Sequence, residues 1–281
     1  MFQTVTIVGV GLISGSLAFA LKEKGLAKKI IGVSRTEASI QKALQRGFID
    51  AAASLEEAVA ESDLIYVAIP VSAATPMIEK ILDLMSNDQI LVDAGSTKAS
   101  ISAALAHHPM RGRWVATHPM WGTENSGPEA ATQDAFRGRA CVICEKEQSD
   151  ADALQSIEKM YRSLGMHLVY MDARSHDMHA AYVSHISHIT SFALANTVLE
   201  KEKETDAIFQ LAGGGFESTV RLAKSSPAMW TPILLENREN VLDVLDEHIL
   251  QLKQFRNSID AGDEDGLLKL MENANRIKRI L

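Results

Sequence analysis

The run Thr4-Val5-Thr6-Ile7-Val8-Gly9-Val10-Gly11-Leu12-Ile13-Ser14-Gly15 limits the folds open to this chain more than any other stretch. Its first five residues are all β-branched, which predicts a strand. The glycines after them predict a tight turn, and Ala18 to Lys24 then carries a helical pattern. Strand, glycine turn and helix in that order is the setting in which G-x-G-x-x-G reads as a dinucleotide-binding turn. Gly9 permits the turn. Gly11 lets the backbone approach a pyrophosphate at the helix start, beside Leu12 and Ile13. Ser14 stands where a third glycine is usual, but it is small and Gly15 follows, so close helix packing stays feasible.

The second strand, Lys29 to Val33, runs into Ser34-Arg35-Thr36, where an NAD site usually presents an acidic residue to the adenine ribose. Two hydroxyls and a guanidinium suit a 2′-phosphate instead, so NADP is the expected cofactor, with NAD possible. The bland alternative is a surface arginine beside a helix cap.

Alternation continues through a strand at Asp63–Pro70, a helix at Pro76–Met85, a strand at Gln89–Asp93 and a helix at Lys98–Ala106. Strands separated by helices predict an α/β fold, a Rossmann-type doubly wound parallel sheet. Ligands in such sheets bind at the carboxyl ends of the strands. Three polar or turn segments fall there: Pro70-Val71-Ser72, Asp93 to Lys98, and a block from His118 to Gly127 that follows the strand-like Trp114-Val115-Ala116. His118 and Ser96 are thereby expected to approach one another over a nicotinamide, and Pro70 to border the cofactor.

After the strand His167–Met171 the pattern turns helical, from Ser175 onward, which divides the chain into a dinucleotide-binding domain, 1–172, and a helical domain, 173–281. The apolar stretch Ile186 to Val198 predicts a helix buried all round, as in a subunit interface. His176, His179, His185 and His188 crowd the first helical segment. No carboxylate or cysteine set completes them as a metal site, so no metal is expected. Ser184, His185 and His188 read as donors to an oxygen-rich substrate, and His176 and His179 as capping or buried hydrogen-bonded residues. Gly213-Gly214-Gly215 opens a helix carrying Arg221, with Met229-Trp230 beyond Pro227.

The chain has 281 residues, 46% of them hydrophobic, enough for two domains with substantial cores. Lys and Arg number 28 against 36 Asp and Glu, a net charge of -8 with no long basic run, which argues against nucleic acid. An anionic substrate would need a local positive cluster. Met1 to Val5 enters directly into a strand pattern and no apolar run is long enough to span a bilayer, so a cytoplasmic protein without membrane contact is expected. Cys141 and Cys144 form a C-x-x-C inside an apolar strand-like run. Strand residues three apart face opposite ways, so both read as small core residues rather than a redox pair.

Taken together, V-G-V-G-L-I-S-G-S-L, Asp93 to Lys98, His118 to Gly127, Ser184-His185-Ile186-Ser187-His188 and Gly213 to Trp230 resemble the prephenate/arogenate dehydrogenase family of tyrosine biosynthesis. The resemblance covers nearly the whole chain. It implies oxidative decarboxylation of a 4-hydroxycyclohexadienyl substrate with transfer of hydride to NAD or NADP, and a helical half that dimerises. By position, His118 is similar to the catalytic histidine that takes the ring hydroxyl proton, and Ser96 to its orienting partner. Arg221 corresponds to the residue that binds a substrate carboxylate, with Ser184, His185 and His188 around the side chain and Thr123 and Glu124 lining the pocket. Trp230 either covers the substrate end or belongs to the core. A glutamate in a site for an anion is explained if Glu124 pairs with Arg221 while the site is empty. With the chain ending at Leu281, no fused mutase or regulatory domain is expected. The small-molecule substrate would be the dianion prephenate or the zwitterion arogenate, with prephenate preferred. A 3-hydroxyacid or imine reductase would share the glycine turn but carry a different polar set. A non-enzymatic NADP sensor would not need His118, Ser96 and Arg221 together.

Overall fold

The computed structural model describes residues 1–205 and 208–280. Eight strands form one sheet: β1 (Phe2–Val8), β2 (Ala27–Val33), β3 (Ala51–Ala52), β4 (Leu64–Val67), β5 (Ile90–Asp93), β6 (Trp114–Pro119), β7 (Ala140–Cys144) and β8 (His167–Met171). Their order is β3-β2-β1-β4-β5-β6-β7-β8. The first six are parallel. The chain moves outward to one edge and then returns past β1, which opens a crevice at the carboxyl ends of β1 and β4 where ligands bind in such sheets.

The last two strands depart from the all-parallel expectation: β7 runs antiparallel to β6, and β8 parallel to β7. Direction follows from the connection. No long helix crosses back between β6 and β7, only the loop and a short helical turn at Pro128–Ala130, and a strand joined without a crossover can return antiparallel. The helix at Ala151–Ser163 then supplies the crossover to β8.

Alternate strand residues enter two apolar layers, one on each face. Ile7, Leu64, Tyr66, Val92 and Val115 pack on one side; Val8, Ile65, Val67, Leu91 and Trp114 pack on the other. Cys141 and Cys144 are both buried, one in each layer, as strand geometry requires. Burial pushes the Cys144 thiol up to about 12, so neither behaves as a ready thiolate.

Helix α1 (Leu12–Glu23) follows the glycine turn directly and starts before the expected Ala18. Two short helices, α2 (Glu37–Gln45) and α3 (Leu55–Glu61), flank β3. The next, α4 (Val71–Leu84), starts before the expected Pro76 and keeps that proline in its interior, while α5 (Ala99–Leu105) follows β5. After α6 (Ala151–Ser163), every described element beyond β8 is helical: α7 (Ala173–Ala180), a π-turn at Ala181–His185, α8 (Ile186–Thr205), a 3₁₀ turn at Phe209–Leu211, α9 (Gly214–Val220), a 3₁₀ turn at Arg221–Lys224, α10 (Pro227–Glu236), α11 (Arg238–Ala261), α12 (Glu264–Ala274) and a 3₁₀ turn at Asn275–Arg279. In the single chain α8 is not buried all round. Ser187, Ala193, Asn196 and Thr197 are exposed, and most of its apolar residues are half-buried. The helical half also leaves Leu235, Ile259, Leu268 and Met271 open to solvent.

Candidate active site

The glycine turn is built as its sequence demands. Gly9 has φ +89°, and a Cβ there would lie 2.4 Å from the Ala68 carbonyl oxygen on the chain leaving β4. Side chains rarely adopt that φ, and there is no room for one. Gly11 differs: a Cβ would meet nothing within 4 Å, so the space above it is open. Ser14 hydrogen-bonds the Gly9 carbonyl through its hydroxyl and accepts from the Gly11 N–H at 3.0 Å, closing the turn on itself. That leaves the N–H groups of Leu12 and Ile13, in the first turn of α1, without intrahelical acceptors. Gly15 takes the close-packing role, since a Cβ there would lie 2.7 Å from the Ala131 Cβ. The open space and free donors fit a dinucleotide pyrophosphate.

At the end of β2, Ser34 is half-buried, while Arg35 and Thr36 are exposed. Thr36 donates its hydroxyl to Ser39 Oγ at 2.7 Å, and Arg35 makes no hydrogen bond or ion pair among the described residues. Pro70 is exposed and immediately precedes α4.

The loop after β5 carries Ser96 and is held by a buried ion pair. Lys98 Nζ lies 2.5 Å from Asp93 Oδ2 and donates to the Gly95 carbonyl at 2.7 Å, with the lysine side chain fully buried. Asp93 also accepts from Trp114 Nε1 at 3.1 Å, which ties the ends of β5 and β6 together. Thr97 reaches the helical half through a 2.8 Å bond to Glu236 Oε2.

His118 lies within β6, not on the loop expected after it, because pairing with β7 extends the strand to Pro119 and sets His118 opposite Val142. Its Nδ1 is 2.8 Å from His176 Nε2, and His176 Nδ1 is 2.7 Å from Asp177 Oδ1. Burial, and then the charge of the nearby Lys98, hold His118 well below the ordinary histidine range. It is therefore a neutral base at physiological pH. Ser96 is half-buried and makes no hydrogen bond to His118 among the described residues. The partner on His118 Nδ1 is His176, a buried hydrogen-bonded residue as expected.

From the helical half, His185 is buried, its Nδ1 facing Asn237 Nδ2 at 3.2 Å, and burial lowers it to about 4. His188 stacks on Trp230 with ring centroids 3.5 Å apart, and His185 meets the same indole edge-on. Trp230 packs with Val71 at the start of α4, so it sits at the junction of the two halves rather than in the centre of either. Ser184 is half-buried and gives its carbonyl to His188 Nδ1 at 3.1 Å. Burial, offset in part by the Ser184 carbonyl, lowers His188, and the Arg221 charge lowers it further. Arg221 opens a 3₁₀ turn pinned to α8 by Ser191, which donates to the Thr219 carbonyl and accepts from the Ala223 N–H. Its guanidinium crosses to the His118–Gly127 block and pairs with Glu124 at 2.7 Å. Glu124's own backbone N–H and then Arg221 hold that carboxyl below its ordinary range. Thr123 is exposed and accepts from the Asn125 N–H at 3.2 Å. Among the described residues no cluster of three or more His, Cys, Asp or Glu could hold a metal ion, and no helix is long and apolar enough to cross a membrane.

Residues 17–170 match the prephenate dehydrogenase nucleotide-binding domain, and residues 172–273 match the prephenate dehydrogenase dimerization domain. The chain belongs to the prephenate dehydrogenase family. It is an oxidoreductase, and its first half is a nucleotide-binding domain for a nicotinamide dinucleotide. Among relatives in this family, it is 31% identical to a prephenate dehydrogenase of Bacillus subtilis, over 98% of this chain and 75% of that protein. A cyclohexadienyl dehydrogenase of Zymomonas mobilis is 29% identical over 100% of this chain and 97% of its own length. Among solved structures, prephenate dehydrogenase from A. aeolicus in complex with hydroxyphenyl propionate and NAD+ superposes with a TM-score of 0.89 at 30% identity, covering 100% of this chain and 98% of that one. Synechocystis arogenate dehydrogenase gives 0.78 at 26% identity, covering 99% of each.

Proposed function

We propose that the protein oxidises prephenate to 4-hydroxyphenylpyruvate, with loss of the ring carboxylate as carbon dioxide, using NADP. The observation that carries this reading is the contact of the two halves at these residues: Arg221, from the helices, pairs with Glu124 of the block that His118 opens, and His185, packed with His188 around Trp230, is near enough to bear on His118. The cofactor would lie along Gly9, Gly11, Leu12, Ile13, Pro70 and Ser96, with Ser34, Arg35 and Thr36 around a ribose 2′-phosphate. A bound nicotinamide ring supplies the hydride acceptor. The chain's own residues bind, orient and move a proton. His118 accepts the ring hydroxyl proton at Nε2, a contribution on the order of 10²–10⁴-fold for a well-placed base. Arg221 leaves Glu124 to hold a substrate carboxylate, and Thr123, Ser184, His185 and His188 surround the side chain with donors and acceptors. Trp230 covers the substrate through its stack with His188. Aromatisation drives the reaction, so holding the reactants in register is the protein's main task.

The NADP reading rests on Ser34-Arg35-Thr36, which offers donors and no carboxylate where a ribose hydroxyl would need an acceptor. A homodimer formed through the helical half is supported by its match to a dimerization domain and by the apolar side chains it leaves exposed. Relatives of nearly the same length named cyclohexadienyl and arogenate dehydrogenase favour a second reading, oxidation of L-arogenate to tyrosine. Reduced-cofactor formation with prephenate and with L-arogenate, each with NADP and NAD, tests all of these. The fastest rate is expected for prephenate with NADP, and no turnover in any of the four mixtures would overturn the assignment.

A further inference from the structure

Asp177 is buried where the two halves meet, and its groups are fully engaged. Its side chain accepts from the backbone N–H of Lys98 at 2.7 Å, from that of Ala99 at 2.9 Å and from His176 Nδ1 at 2.7 Å. Its backbone carbonyl accepts from Asn237 Nδ2 at 2.6 Å. Two of these contacts bear on where protons sit: the one to His176 leads on to His118, and the one to Asn237 leads on to His185.

Each oxygen of this carboxylate already accepts a backbone N–H, so it accepts from His176 as well, which places the His176 proton on Nδ1. Burial lowers His176 below its ordinary range, which keeps the ring neutral and leaves Nε2 as an acceptor. His118 Nδ1, 2.8 Å away, must then be the donor, and the lone pair of His118 is left on Nε2. On the other side, Asn237 Oδ1 accepts from Asn240 Nδ2 at 2.7 Å, and its own Nδ2 donates to the Asp177 carbonyl. The orientation of the amide is therefore fixed. His185 Nδ1 faces that Nδ2 and must accept, so the proton of neutral His185 sits on Nε2.

We propose that Asp177, acting through His176 and Asn237, sets the two crevice histidines in opposite proton states: His118 with a free lone pair at Nε2, and His185 with an N–H at Nε2. His118 is thereby ready to take a proton and His185 to give a hydrogen bond. When His118 gains its proton, the imidazolium keeps a neutral acceptor on Nδ1, itself backed by the Asp177 carboxylate. His176, Asp177 and Asn237 are positioning residues. The part concerning His118 rests on its reading as the proton acceptor. The groups that bear on these protonations are Lys98, His176 and His185 around His118, Asp93, Lys98 and Asp177 around His176, and Asp177, His176 and His188 around His185.

The direct test is ¹⁵N NMR of the intact protein labelled at its histidines, assigned through His118→Asn and His185→Asn. Neutral His118 is expected as the Nδ1–H tautomer and neutral His185 as the Nε2–H tautomer; either ring in the opposite form overturns the proposal without any variant of the network. Kinetics supply the second test. His176→Leu removes the acceptor, so kcat should fall about 100-fold, the range of a mispositioned base. The acidic limb of its pH profile should move to lower pH, because the imidazolium has lost its partner. His176→Gln places an amide oxygen near the position of Nε2 and should recover at least about tenfold of the rate and return the limb toward its original place. Equal losses in both variants with an unmoved limb would make His176 a packing residue and overturn the proposal. Full activity in His118→Asn would instead defeat the reading of His118 as the base, while the tautomers measured in the wild-type protein would still stand or fall on their own.

Discussion

On the sheet side of the crevice, His118 reaches through His176 to an aspartate that takes two backbone N–H groups, and all of this sits beside a lysine with no exposed surface. On the helical side, Arg221 is about half exposed and, among the described residues, its ion-pair partner is Glu124. The first arrangement has one low-energy geometry, because any displacement strands a buried polar group. The second can open at little cost, since an exposed ion pair exchanges readily with water. Reaction at a ring hydroxyl needs fixed geometry, whereas admitting and releasing a carboxylate needs an arginine that can change partners. With His118 as the proposed base and Arg221 as the proposed anchor of a substrate carboxylate, rigidity falls where the proton would move and freedom where the anion would enter.

Replacing His118 with Asn puts the largest strain on this contrast. Turnover should fall on the order of 10²–10⁴-fold while substrate affinity changes little, checked by kcat against a dissociation constant from fluorescence titration. In the wild-type protein the acidic limb of activity should lie below the ordinary histidine range, because burial lowers His118: the base form is present above that depressed pKa and is lost as pH falls through it. Next in size is Lys98→Met. Removing one partner of a buried pair leaves Asp93 uncompensated and should cost about 3–5 kcal/mol in denaturant unfolding. A loss below about 1 kcal/mol would mean that the sheet wall is not fixed by this pair.

Ser34→Asp tests a third region, the cofactor's ribose end, which has neither the sheet wall's burial nor the helical wall's ion pair. A carboxylate there repels a 2′-phosphate and accepts from a ribose hydroxyl, so the ratio of kcat/KM with NADP to that with NAD should fall about tenfold or more. An unchanged ratio would remove Ser34-Arg35-Thr36 from cofactor choice.

The glycine turn and the change from alternation to helix were legible because they are local: Gly9 is forced by φ and by contact with Ala68, and the helical run after β8 is written in successive residues. Short elements were not. β3 has two residues and α3 seven, too few for a periodic pattern to stand out. The direction of β7 depended on the absence of a crossover, and that pairing moved His118 from a loop into a strand. His176 and Asn237 were missed as site residues for a different reason. Each looks like an ordinary structural residue, and its role comes from a contact with a side chain more than 50 positions away, His118 in one case and His185 in the other. The Glu124–Arg221 pair, by contrast, could be anticipated, since an anion site in an acidic chain must account for both charges.

The smallest expected effect belongs to Glu124→Gln and addresses the helical wall directly. If Arg221 holds the substrate carboxylate as proposed, Glu124 competes with substrate for it, so the amide should lower KM at neutral pH by about two- to fivefold with kcat nearly unchanged. The sign of the pH effect follows from the lowered carboxyl. Glu124 is ionised and competes above its depressed pKa, and it releases Arg221 only as pH falls through a value below the ordinary carboxylate range. The KM advantage of the variant should therefore persist across the ordinary carboxylate range and narrow only at the acid end. If KM rose in the variant instead, Glu124 would be holding Arg221 in the shape that substrate needs, and the helical wall would be preorganised in the manner of the sheet wall. If KM did not move, the pair would have no part in binding and the contrast between the two walls would rest on exposure alone.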